Sequence, residues 1–178
     1  MLNRAIYRFR QFLFAMFSRY SRADEAFTRS YLNIEEMALF NQLPGFEKKH
    51  AVTVARKMLA AVFGRPEFDE TKIAKLGLLH DIGKVLERNT ILSKSMLVSI
   101  RFFFPAFYDR LARSGEKDLR FRRFYLHRHH GDAGARLLEK IGEPEEILSI
   151  IRQHDPRVGE PGRAEPELIL LRDADSTL

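Results

Sequence analysis

The sequence predicts an all-α protein: a single compact helical domain preceded by an N-terminal amphipathic helical extension. Two observations carry that expectation. Apolar residues recur at intervals of three and four along most of the chain, with almost none of the alternation expected of strands. Glycines and prolines stand where those periodic stretches stop and start. With 178 residues, 45% of them hydrophobic, the chain can bury one sizeable core and is short for two domains.

Residues 4–20 form an Arg- and Phe-rich amphipathic stretch. A helix from Asn33 to Gln42 stops before the Pro44-Gly45 turn. The next covers 47–63 and ends at Gly64, with Pro66 just beyond. Asp69 or Glu70 opens a helix through Leu79 that leads into His80-Asp81-Ile82-Gly83-Lys84. Residues 91–113 are helical by pattern, with Leu92, Met96, Ile100, Phe103 and Phe107 on one stripe and a kink at Pro105. Three helices follow: 131–141, ending at Gly142; 144–154, with Pro144 in its first turn; and 166–176, where Pro166 has the same role. The stretch from Pro156 to Pro166 reads as a loop within the domain. Residues 1–45 are thus the helical extension and 46–178 the domain proper.

The absence of cysteine rules out disulfides, zinc–thiolate sites and thiol nucleophiles, so a bound metal would depend on histidine and carboxylate. The net charge of +6 is concentrated. Residues 1–30 carry six arginines against Asp24 and Glu25, and residues 101–130 carry eight basic against three acidic residues. Two such surfaces could face phosphate, anionic lipid or nucleic acid, or be solvated helix faces. The cluster from Phe12 to Phe17 is too short for a signal peptide, and Lys94 and Arg101 interrupt the run from Ile91 to Tyr108. The expected location is the cytoplasm, with membrane association confined to the surface.

The histidines fall on inward helix faces. His80 follows Gly77, Leu76 and Ile73 at helical spacing, and Asp81 comes directly after it. His50 heads a series with Val54, Met58 and Ala61; His154 follows Ile147, Ile150 and Ile151; and His130 precedes Gly134, Leu137 and Ile141. The small pair Gly134-Ala135 would let that helix approach a neighbour closely. Asp175 shares a face with Leu168 and Leu171, whereas Asp173 projects to the opposite side as a solvated carboxylate. His127 and His129, beside Arg128, are expected at the surface or facing phosphate. A lone inward histidine is commonly a hydrogen-bonded core residue, but four of them with two acids on five helices are hard to satisfy by hydrogen bonding alone. A divalent cation would compensate them.

The order His50, then LLHDIGK containing His80-Asp81, then Asp175 within LLRDADSTL resembles the H…HD…D signature of the HD-domain (HDIG-type) metal-dependent phosphohydrolase superfamily. The resemblance covers about 48–178. It implies that His50, His80, Asp81 and Asp175 hold a first metal, with Asp81 bridging to a second. His130, in HHGDAGARLLEKIG, resembles the helix start of the dinuclear branches with Gly131 in place of proline, and His154, in IIRQHD, resembles their next histidine. Lys84 matches the lysine of the HD-x-G-K motif and is implied to contact substrate phosphate. The Gly-Tyr-Pro element of the cyclic-di-GMP phosphodiesterases is replaced by DPRVGEPGRAEPE, which does not support that substrate. The interval from Asp81 to His130 is longer than in compact members, and its Phe-rich part, 91–108, could be a substrate lid, a partner surface or a membrane-facing patch.

The implied chemistry is hydrolysis of a phosphate ester or anhydride by metal-activated water. Two ions of Mn²⁺, Fe²⁺ or Zn²⁺ suit these donors, whereas Mg²⁺ and Ca²⁺ prefer more oxygens. Asp81 and Lys84 are the expected catalytic residues, and Lys84 with Arg128 would neutralise phosphate. The expected partner is a phosphate-containing small molecule of nucleotide or dinucleotide type, ahead of nucleic acid. A non-catalytic signalling or partner-binding module and a peripheral membrane contact through the N-terminal helix are the alternatives.

Overall fold

The computed structural model describes residues 19–87, 91–155 and 165–177. Among them are ten α-helices and no strand: α1 (Arg22–Tyr31), α2 (Ile34–Phe40), α3 (Gly45–Val62), α4 (Glu70–Leu79), α5 (Ile91–Phe103), α6 (Pro105–Ser114), α7 (Arg122–Arg128), α8 (His130–Glu139), α9 (Glu145–Gln153) and α10 (Pro166–Ser176). Two 3₁₀ segments, Ile82–Leu86 and Leu119–Phe121, complete the order. The expected N-terminal helix over 4–20 and the loop from Pro156 to Pro166 lie almost wholly outside the described residues.

Local chemistry sets the helix starts. Ser21 and Asn33 accept from the backbone N–H groups of Asp24 and Glu36, whose carboxylates accept from the cap N–H groups in return. Asp69 accepts from Thr71 and Lys72 to start α4. Gly64 and Gly142 follow α3 and α8 at φ 74° and 85°, conformations that suit glycine. Helix α1, which starts at this Ser21 cap, was not among the expected helices.

The main core gathers Phe40, Val54, Met58, Ile73, Leu76, Leu79, Ile82, Leu138, Ile150, Ile151 and Leu171, all buried. Leu32, Met37, Phe40 and Leu43 from the N-terminal part belong to this same core. Helix α3 runs along α4, α8 packs on α9 and on the Ile82–Leu86 turn, and α10 closes over α3. Two of the approaches that only glycine permits position the site. A Cβ on Gly77 would lie 2.4 Å from Ala55 Cα, and one on Gly83 would lie 1.9 Å from the His130 carbonyl oxygen and 2.7 Å from Gly134 N. The first draws α3 onto α4, and the second draws the motif turn onto α8.

Buried charge joins the extension to the domain. Asp24, 1% exposed, accepts from Lys49 Nζ at 2.9 Å and Arg56 Nη1 at 2.8 Å. Burial opposes ionisation, but hydrogen bonds from Ser21 and Lys49 outweigh it and hold this carboxyl at about 2. Elsewhere Lys75 lies between Glu36 Oε1 at 2.6 Å and Glu143 Oε1 at 3.1 Å, linking α2, α4 and the turn before α9.

The segment 91–113 departs from the expected form. It is two helices, with Phe104 between them and Pro105 at the first position of α6. The stripe through Met96, Phe103 and Phe107 is exposed to solvent. Burial falls instead on Leu97, Tyr108, Ala112 and Phe124, which form a small second core joining α5, α6 and α7. Helix α7 and the 3₁₀ turn before it lie within what reads in the sequence as a basic run.

Two outcomes test these contacts. Gly77→Ala should destabilise the fold by about 2–3 kcal/mol or more through overpacking against the Ala55 backbone, measured by urea unfolding. Burial, and then the neighbouring Glu36 carboxylate, push Glu143 up to about 7 from its ordinary 4.5. The folded chain therefore holds a proton there that the unfolded chain has released, and stability from this group is lost as pH rises between about 4.5 and about 7. Glu143→Gln should flatten the stability–pH curve in that window, and an unchanged slope would show that Glu143 holds no such proton.

Candidate metal centre

Four helix ends and one helix face converge on Asp81. His80 is the residue after α4, and Asp81 begins the turn into the 3₁₀ segment, so Lys84 lies at i+3 from Asp81. His50 lies one turn into α3, His130 opens α8, His154 follows α9, and Asp175 stands in the last turn of α10.

The geometry divides around the two oxygens of Asp81. Its Oδ2 faces His80 Nε2 at 3.3 Å and His50 Nε2 at 3.6 Å. Its Oδ1 faces His130 Nε2 at 3.2 Å and His154 Nε2 at 3.6 Å. Asp175 Oδ1 joins the first pair, 3.0 Å from His50 Nε2 and 3.9 Å from His80 Nε2. Asp173 is exposed, as its helix position predicts. Two groups, His50-His80-Asp81 and Asp81-His130-His154, could each hold a metal ion, with Asp81 common to both.

The tautomers follow from hydrogen bonding. Nδ1 of His80 donates to the Gly77 carbonyl at 2.9 Å, Nδ1 of His130 to that of His127 at 2.9 Å, and Nδ1 of His154 to that of Ile151 at 2.7 Å. A carbonyl only accepts, so these nitrogens carry the ring protons and the neutral rings present Nε2 lone pairs inward. His80 Nε2 is buried without a hydrogen-bond partner, and Nε2 of His130 and His154 approach to 3.0 Å. Lone pairs facing one another and a carboxylate are repulsive unless positive charge lies among them. The donor set therefore fits divalent cations, and the backbone carbonyls supply the outer partner that orients a ligating imidazole.

Electrostatics lead to the same conclusion. Asp81 is 3% exposed; burial alone would raise its pKa, but the Lys84 ammonium beside it outweighs burial and holds it well below the usual range. Burial disfavours charge on His80, yet Asp81 and Asp175 outweigh that and raise it, whereas burial keeps His130 low. Lys84 pairs closely with Asp81 and lies 3.5 Å from Glu47 Oε2; despite burial these carboxylates raise its pKa and keep it charged. Asp175 is 39% exposed, against 0% for the His80 side chain, so the centre opens on the Asp175 side.

Several neighbours were not legible in the sequence. Glu47, one turn before His50, is buried beside Lys84. Arg172 donates to the Gln153 and His154 carbonyls, closing the end of α9. Asp155, buried next to His154, pairs with Arg101 of α5 at 3.3 Å. His127 corrects the surface expectation: it is 6% exposed, and its Nδ1 lies within hydrogen-bond distance of the Tyr108 hydroxyl, at 2.6 Å. The bulky Tyr108 from α6, invisible to local periodicity, covers it. His129 is partly buried, and Arg128 is ion-paired with Asp109.

An all-helical domain that gathers histidines and carboxylates into a common buried centre has the make-up of a histidine–carboxylate site that could hold metal ions. More particularly, the HD domain family matches residues 48–178, and the chain belongs to that family, whose superfamily is one of metal-dependent phosphohydrolases. No curated protein and no solved structure matches the chain.

Adding Mn²⁺, Fe²⁺ or Zn²⁺ to metal-free protein should raise its melting temperature, with about 2.7 kcal/mol of stabilisation at a hundredfold excess over Kd. Asp81→Ala should abolish that response. A melting temperature indifferent to all three ions would count against the centre.

Proposed function

We propose that this protein is a metal-dependent phosphohydrolase that cleaves a phosphate ester or anhydride, its substrate a nucleotide or dinucleotide. The observation that carries the reading is the division of Asp81: each carboxylate oxygen faces its own histidine pair, with Lys84 alongside. In this reading His50, His80, Asp81 and Asp175 hold one ion, and Asp81, His130 and His154 hold a second, both from among Mn²⁺, Fe²⁺ and Zn²⁺. Divalent cations bound there would supply Lewis acidity, bringing the pKa of water from about 15.7 toward about 7 and offsetting charge on phosphoryl oxygens.

The chain's own residues supply position and charge. The three Nδ1–carbonyl hydrogen bonds lock the imidazoles in the orientation that keeps Nε2 free. Burial of His80, His130 and His154 keeps bulk water from competing at the back of the centre. Lys84, kept charged by Asp81 and Glu47, is the proposed contact for a substrate phosphoryl oxygen. Arg128, which pairs with Asp109, is the second cation proposed for substrate phosphate, and Arg101 stands near His154 through its ion pair with Asp155.

Phosphate release from nucleotides, dinucleotides and generic esters, assayed with metal analysis of the same preparation, tests the reading. Asp81→Ala should lose metal and activity together. Lys84→Met should keep metal and lose about a hundredfold to a thousandfold in rate, the scale of one removed electrostatic contact. Release that ignores metal removal would overturn the proposal.

A further inference from the structure

The α5–α6 hairpin carries a surface that the metal centre does not use. Residues 102–107 are all exposed, and four of the six are phenylalanines. Phe103 is 68% exposed, Phe104 64% and Phe107 53%. Met96, 44% exposed, lies on the face of α5 that leads to Phe103. Isolated exposed apolar side chains are ordinary, but a continuous aromatic tip marks an interaction site.

The charge around the tip is mainly positive, with Glu116 the one fully exposed acid between Arg110 and Arg123. Arg110 and Arg113 follow Phe107 on the exposed face of α6, and Lys117, Arg122 and Arg123 extend the cationic surface beyond it. Among the described residues the side chains of Arg110, Arg113, Lys117 and Arg123 make no hydrogen bond or ion pair. Arg120 and Arg128 are satisfied by Asp118 and Asp109. The phenylalanines therefore stand beside free positive charge.

That combination selects the occupant. A second copy would bring the same positive patch to the interface. Residues 1–18 carry Arg4, Arg8 and Arg10 and no acid, so this chain's own N-terminus is like-charged as well. Aromatic side chains exposed on both sides of a turn project as a knob, which a protein partner must meet with a matching pit. An anionic bilayer needs no such pit, since its headgroups meet the arginines and its acyl boundary takes the rings. No helix among the described residues is long and apolar enough to cross a membrane.

We propose that the Phe102–Phe107 tip, with Arg110 and Arg113, docks this protein on the surface of anionic lipid bilayers. Helix α5 leads from the tip to Arg101, whose ion pair with Asp155 adjoins His154, so the docked tip lies beside the metal centre. The proposal does not depend on the centre being catalytic.

Co-sedimentation of the full chain with vesicles of phosphatidylcholine alone and of phosphatidylcholine with phosphatidylserine provides the test. The chain should bind the anionic vesicles more tightly and release them as salt is raised. Phe103→Ser with Phe107→Ser, or Arg110→Glu with Arg113→Glu, should weaken binding by about tenfold or more, with unchanged melting temperature and metal binding. The chain has no tryptophan, so Phe104→Trp alone gives an independent reading. Its emission should shift to the blue on anionic vesicles and be quenched by brominated acyl chains. Absence of binding, binding untouched by the tip substitutions, or a reporter that responds to polyglutamate and not to vesicles would each overturn the proposal, the last in favour of an acidic protein partner.

Discussion

Asp81 is the carboxylate around which this structure is arranged. Removing one ionised carboxylate from water costs several kcal/mol unless partners replace the lost hydration. Here four imidazoles and one ammonium gather around it, delivered by helices distant in sequence. The close crossings serve that convergence. Gly77 allows α3, which carries His50, to lie against α4, and Gly83 with Gly134 allows the motif turn to touch the start of α8, which carries His130. Packing and electrostatics are therefore one problem in this fold, because any displacement of α8 from the turn also moves a nitrogen away from Asp81.

The remaining charges form a graded shell. Lys84 sits between Asp81 and Glu47, and Arg101 links Asp155 to the separate small core of α5–α7. Tyr108 belongs to that small core and also bonds His127, whose carbonyl accepts from His130. The helical hairpin is thus tied to the centre at two places, through His154's neighbour and through the residue that orients His130. Asp24, with Lys49 and Arg56 of α3, performs a parallel service for the N-terminal helices, keeping them on the main core.

Much of this was readable from the residues. Inward placement of His50, His80, His130 and His154 follows from helical spacing, and the same spacing separates Asp175 from the exposed Asp173. Helix ends at Gly64, Gly142 and Pro166 were legible because glycine and proline act locally. The misread parts depend on tertiary contact. A stripe through Met96, Phe103 and Phe107 has the period of a buried face, but nothing in the period says that Leu97 and Tyr108 take the burial instead. His127 looked superficial amid arginines because Tyr108, which covers it, is 19 residues away. Glu47 and Arg101 likewise acquire their roles only from the chain that folds against them.

The hydrogen bonds from Nδ1 of His80, His130 and His154 share one more property: each acceptor is the carbonyl three residues earlier in the same chain segment. Donor orientation is thus inherited from the last turn preceding each histidine and does not await tertiary assembly. The segments arrive with their lone pairs already exposed, so folding need only bring together donor groups that are individually prepared. Such self-contained ligand turns are transplantable units, and a helix end of this kind moved to another bundle would carry a correctly protonated imidazole with it.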